Sequence, residues 1–93
     1  MYLGVLEIAF HIPEAQSLKQ KRKVVLSLKD RIRQRFNVSL AETGGQDAWQ
    51  RCTLTIAQVA NQRVAAERDL NRILDLIESE PSILTTDSHI DFY

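Results

Sequence analysis

Three small groups of side chains in this 93-residue chain are of types that could do chemistry. His11 and His89, the second flanked by Asp87 and Asp91, amount to two imidazoles and carboxylates, a donor set that suits a transition metal. Their spacing imposes no ligand geometry, and histidines near strand ends are ordinarily surface residues, so no metal is expected. Cys52 has no base near it in sequence and falls on the apolar parity of its segment, which predicts a buried, inert thiol. Glu7 lies in the middle of an apolar segment, where burial would make a carboxyl a candidate acid or base. Pairing with Arg51 across neighbouring strands is the expected arrangement for it. No spacing supports a Ser-His-Asp or Cys-His set, and Gly44-Gly45 alone is a turn rather than a phosphate loop. No catalytic residue and no cofactor is therefore expected.

The strongest chemical signal is charge. The chain has 12 Lys and Arg against 12 Asp and Glu, for a net charge of zero. Yet eight of the cations (Lys19, Lys21, Arg22, Lys23, Lys29, Arg31, Arg33 and Arg35) lie between Ser17 and Phe36, where Asp30 is the one acid, so this segment carries +7. It reads as a helix. Ser17 followed by Gln20 matches a capping box, in which the hydroxyl accepts from a first-turn N–H and the Gln reaches back to the cap. Leu18, Val25, Leu28, Ile32 and Phe36 recur at helical spacing and span roughly 80° of a helical wheel. Lys19, Arg22, Lys23, Lys29 and Arg33 fall on one flank of that arc, and Arg31 and Arg35 on the other. Lys21 points within the arc, either snorkelling outward along its methylenes or held against a carboxylate or an anion. Cations crowd the first two turns, where the helix dipole favours anions, so backbone N–H groups and Lys19, Lys21, Arg22 and Lys23 together make a candidate phosphate or carboxylate site. The plainer alternative is a solvated face that keeps a small domain soluble.

Ninety-three residues suit a single domain, residues 1–93, able to bury about 60–65% of its unfolded surface and too small for a deep enclosed cleft. Hydrophobic content of 44% and charged content of 26% are those of a globular protein. No apolar run is long enough to span a membrane, and the opening residues read as a strand rather than a signal peptide. A lone cysteine fits a reducing cytoplasm.

Residues 2–12 alternate, with Leu6, Ile8, Phe10 and Ile12 on one parity, and form a central strand. After the basic helix, residues 37–43 make a short strand, Gly44-Gly45-Gln46-Asp47 a hairpin turn, and residues 49–60 the return strand with Cys52, Leu54 and Ile56 facing inward. Asn61 is placed to cap a second helix to about residue 80, with Ala66, Leu70, Ile73, Leu74 and Ile77 inward and charges of mixed sign outward, before Glu80-Pro81 stops it. Residues 83–93 make a last strand. The fold class is α+β: a ferredoxin-like β-α-β-β-α-β plan with a four-stranded antiparallel sheet in order 4-1-3-2 and both helices on one face. The uncovered face would show Leu3, Val5, Ala57 and Val59, a surface suited to a second copy, so a homodimer through the sheet is expected.

SLKQKRKVVLSLKDRIRQRFNVSLAE, followed by Asp47-Ala48-Trp49-Gln50-Arg51, resembles the YlxP-like family, a bacterial domain of unknown function, over essentially the whole chain. The matching motif residues are Ser17, Leu18, Lys19, Lys21, Arg22, Phe36, Asn37, Ser39, Glu42, Asp47, Trp49 and Arg51. The resemblance implies a ferredoxin-like fold and no established activity or cofactor. Genes of that family often lie beside those for translation initiation factor two and ribosome-binding factor A, which implies translation or ribosome assembly.

Together these readings point to a small non-enzymatic binding protein whose basic first helix contacts structured RNA or the ribosome, through Lys19, Lys21, Arg22, Lys23, Lys29 and Arg33. Sheet-face base stacking is not expected, because Trp49 is the only aromatic among the residues assigned to the central strands' open face. A homodimeric protein–protein adaptor is the alternative, and an enzyme of unrecognised type the third reading.

Overall fold

Alternation in the first segment has the expected consequence. In the computed structural model, which describes residues 1–93, β1 (Tyr2–His11) buries Gly4, Leu6, Ile8 and Phe10 on one face. A strand so lined needs a cover, which α1 (Leu18–Arg35) and α2 (Arg63–Glu78) provide. β2 (Ser39–Gly44), β3 (Arg51–Ala60) and β4 (Leu84–Phe92) complete one antiparallel sheet in the order β2-β3-β1-β4, the expected 4-1-3-2 arrangement counted from the other edge. Val25, Leu28 and Ile32 of α1 and Leu70, Ile73 and Ile77 of α2 share one core with Leu6, Ile8, Phe10, Leu54 and Ile56. Each fully buried side chain of this size stabilises the fold by about 1.5–3 kcal/mol relative to exposure.

The two helices begin differently. Ser17, in extended backbone, caps α1: its Oγ accepts from the Gln20 N–H at 3.1 Å. Gln20 Oε1 reaches one residue beyond the cap and accepts from the Gln16 N–H at 2.7 Å. The first bond satisfies a donor that an uncapped helix start would leave to water, and the second fixes the residue ahead of the cap. α2 has no such device, and the expected cap is corrected: Gln62, not Asn61, is the N-cap, without a side-chain hydrogen bond. Packing holds this helix instead. It lies so close to β1 that a Cβ on Gly4 would come within 2.8 Å of Leu70 and 3.4 Å of Ala66.

Register overturns one expected pair. Glu7 stands opposite Thr55 on β3 and His89 on β4, whereas Arg51 stands opposite His11. Four positions along a strand amount to about 13 Å, so Glu7 and Arg51 do not pair. β3 also begins two residues later than expected, at Arg51, which leaves Trp49 and Gln50 in the connection from β2. β2 likewise begins at Ser39 rather than residue 37.

Candidate functional site

The cations of α1 are for the most part unpaired. Lys19, Arg22, Lys23, Arg33 and Arg35 are exposed and Lys29 is half-buried. None of these six comes within 4.0 Å of a carboxylate, and the first turn of the helix contains no acid. Arg31 is the exception on the surface, meeting Glu80 at 2.7 Å. The Ser82 hydroxyl first, and Arg31 after it, hold the Glu80 carboxyl below its usual range. α2 is built in the opposite way: Arg63 pairs with Glu67 at 2.9 Å and Arg68 with Asp69 at 3.4 Å. Arg63 also lies 4.5 Å over the Phe92 ring.

Lys21 is a correction to the expected contact surface. Its side chain is 1% exposed, with Nζ 2.6 Å from Glu42 Oε2 and donating to the Gly45 carbonyl. No donor is aligned on Glu42 Oε2, so the contact is an ion pair and the directed hydrogen bond goes to Gly45. Gly45 has φ +77°, and a Cβ there would lie 2.8 Å from the Arg51 carbonyl, so glycine is required to turn this carbonyl beneath α1. The ammonium is therefore not free for an external anion. Cys52 lies behind the same carboxylate, and its thiol is pushed up to about 12, by burial first and then by the charge and acceptor oxygen of Glu42. Such a thiol is a poor nucleophile at neutral pH, as its position in sequence predicts.

The connection between β2 and β3 is fastened to the one between β1 and α1. Gln50 Nε2 donates to Pro13 O at 3.2 Å and to Ala15 O at 3.0 Å, while the Gln50 carbonyl accepts from the Ile12 N–H at 2.9 Å. The Ala48 N–H donates to Gly45 O at 3.0 Å. Between these ties the Trp49 ring is half exposed, at 52%. It borders an open hollow of about 410 Å³ lined by His11, Asp47, Ala48, Trp49, Gln50 and Arg51. A second hollow of about 310 Å³ adjoins it, sharing His11 and Arg51. An indole, a guanidinium, an imidazole and a carboxylate in an open hollow can stack and pair with a ligand.

Motif residues far apart in sequence thus converge. Ser17, Leu18, Lys19, Lys21 and Arg22 open α1, and Glu42, Asp47, Trp49 and Arg51 gather at that same end of the molecule through Lys21 and Gln50. Phe36, Asn37 and Ser39 lie at the other end of α1, where the Phe36 N–H closes the helix on Ile32 O at 2.9 Å. In the sequence Gln50 stands only as a member of the Trp49-Gln50-Arg51 motif, and nothing there shows its bonds to Pro13 and Ala15 or sets His11 beside Arg51.

On the open sheet face, Leu3 stands opposite Val59 and Val5 opposite Ala57, so the four residues form one patch. Val59 is 66% exposed, and Tyr93 joins the patch through paired backbone bonds with Leu3 at 2.9 and 3.3 Å. His11 and His89 are not brought together: His89 faces Glu7 and lies 3.7 Å from Asp91, while His11 faces Leu84 and Arg51. No three His, Cys, Asp or Glu side chains are grouped to hold a metal, and no helix is long and apolar enough to cross a membrane.

Comparison with known proteins supplies the family. The chain is 40% identical to "Uncharacterized protein YlxP" of Bacillus subtilis over 91 residues, covering 98% of this chain and 99% of that one. A crystal structure of protein SO0527 from Shewanella oneidensis aligns over 100% of this chain and 95% of its own, at 14% identity and a TM-score of 0.45. The family described as "Protein of unknown function (DUF503)" matches residues 3–90, and with the YlxP identity and the motifs gathered around Lys21 and Trp49 it follows that the chain belongs to this YlxP-like DUF503 family.

Proposed function

We propose that this protein is a small non-enzymatic binding domain of the cytoplasm that contacts structured RNA, such as that of the ribosome, through the exposed flank of α1. The observation that carries this reading is the set of five cations on that flank, Lys19, Arg22, Lys23, Lys29 and Arg33, none within 4.0 Å of a carboxylate, in a chain with no net charge. Surface charges held only for solubility tend to be interspersed in sign, as they are on α2. Like charges crowded on one helix repel, and at the N-terminus they oppose the dipole, so the arrangement lowers stability unless an anion offsets it. Phosphates spaced along RNA meet that requirement, and their contacts fix position without reading sequence. Each neutralised phosphate releases counterions, so affinity falls steeply with salt. Recovery of the protein from cell extract with and without ribonuclease tests the partner class. Retention of the ribosomal fraction only in untreated extract supports RNA, and unchanged partners after ribonuclease overturn it.

The patch of Leu3, Val5, Ala57 and Val59 favours a second reading, an adaptor that dimerises through its open sheet face. Both surfaces lie on different sides of the domain, so dimerisation leaves α1 accessible.

A further inference from the structure

We propose that the hollow bordered by Trp49, Arg51, His11 and Asp47 receives a single unstacked nucleotide, its base on the indole and its phosphate on Arg51. This rests on the RNA reading above and refines it, from a uniform phosphate track to recognition at a bulge or loop.

Three observations converge on it. Trp49 is half exposed yet carried on backbone that is tied down on both sides, by the Gln50 bonds to Pro13, Ala15 and Ile12 and the Ala48 bond to Gly45. An exposed indole on an ordered loop binds a planar ring with little further loss of entropy. Arg51 is exposed with no carboxylate within 4.0 Å, and its strand register sets it opposite His11, so a guanidinium and an imidazole stand together on one side of the hollow. Asp47 adds an acceptor. A bare phosphate would be repelled by that carboxylate, whereas a nucleobase amino group donates to it. The combination of a stacking ring, an acceptor and the Arg51 cation thus matches a base with its phosphate. The volume, about 410 Å³, is in the range of small-ligand sites.

Position strengthens the assignment. Gln50 binds the carbonyls of Pro13 and Ala15, just ahead of the Ser17 cap, so the hollow lies at the end of the domain where α1 begins with Lys19, Arg22 and Lys23. One RNA can engage both. Proteins read RNA in this way where bases leave the helix and stack on aromatic rings.

Trp49 is the only tryptophan, so its emission reports on the hollow alone. The experiment compares a hairpin RNA carrying one bulged adenosine with the same hairpin fully paired. The bulged RNA is expected to quench Trp49 and to bind roughly 5- to 150-fold more tightly than the paired one, the range for stacking one base on an aromatic ring. Trp49→Ala removes that preference, followed by labelled RNA. Trp49→Phe keeps most of it, and Arg51→Gln weakens the bulged complex. Replacing Lys19, Lys23 and Arg33 by Gln weakens both RNAs equally and leaves the preference intact. Equal binding of both hairpins without quenching overturns the nucleotide site while leaving the RNA reading in place. If neither hairpin binds, the RNA reading fails, and adenosine monophosphate titrated against Trp49 emission decides the hollow separately. Quenching lost in Arg51→Gln then sustains the site, and no quenching removes it. Urea melts of each variant confirm folding.

Discussion

Lys21 Nζ lies 2.6 Å from Glu42 Oε2, inside the apolar arc of α1. The helix is thereby latched to β2, and through the Gly45 carbonyl to the loop that carries Trp49. Burying such a pair is costly in desolvation, and breaking it is worse than replacing it. Glu42→Ala is expected to destabilise the fold by about 3–5 kcal/mol, since it strands a buried ammonium. Lys21→Met fills the site with an apolar chain and should be much milder, and the double variant Lys21→Met with Glu42→Gln should recover most of the loss. Urea melts decide this. A loss below about 1 kcal/mol for Glu42→Ala would mean that water reaches Lys21 freely.

Cys52 sets a pH dependence at the alkaline end. Burial first, and then Glu42, pushes its thiol from an ordinary 9.0 up to about 12. Between those values the unfolded chain releases the proton and the folded chain keeps it, so stability falls as pH rises from 9 toward 12. Below 9 both states hold the proton and the contribution is whole. The difference in urea midpoint between wild type and Cys52→Ala should therefore change from pH 8 to pH 10.5, with wild type losing more. A parallel loss in both proteins would show the thiol to be solvated. A thiol reagent at pH 8 should react at the rate of unfolding rather than at that of a free thiol.

Ser17→Ala removes the 3.1 Å acceptor for the Gln20 N–H and should cost about 0.5–2 kcal/mol. Ser17→Asp retains an acceptor and adds a favourable interaction with the helix dipole, so it should be at least as stable as wild type. If Asp melts like Ala, the hydroxyl has a different role, such as ligand contact.

Replacing Lys19, Lys23 and Arg33 by Gln removes charges that make no ion pair, and should change stability by under about 1 kcal/mol. It should also lower the salt slope of RNA binding by roughly two to three. The comparison triple, Arg63, Arg68 and Arg72 to Gln on α2, should spare binding while costing more stability, because Arg63 loses both Glu67 and the Phe92 ring. Equal loss of binding from both triples would indicate diffuse attraction rather than a face.

Val59→Glu tests the dimer. Val59 is 66% exposed in the single chain, so the monomer tolerates the change, whereas a face-to-face dimer would bury two carboxylates. Light scattering should show monomer for the variant and dimer for wild type, and a wild type that is monomeric at tens of micromolar removes the adaptor reading. Val5→Glu is less clean, since Val5 stands opposite Asp91 and the added charge repels within one chain.

What the sequence determined by itself is whatever depends on neighbours within about one helical turn or one strand. The Ser17 cap, the inward Val25, Leu28 and Ile32, and the alternation that buries Cys52, Leu54 and Ile56 are of that kind. Periods of 3.6 and 2 are properties of short segments, and with six such segments in order the β-α-β-β-α-β plan followed. Tertiary structure decided the rest. Lys21 could be placed within the apolar arc, but only packing against β2 selected Glu42 as its partner over snorkelling to water. Strand register, which period alone leaves open, separated Glu7 from Arg51 and set His11 there instead. Trp49 belongs to a loop rather than to β3 because Gln50 turns to the Pro13 and Ala15 carbonyls, a contact between segments far apart in the chain. Such contacts carry no period, since they arise only when the sheet brings two loops to one end.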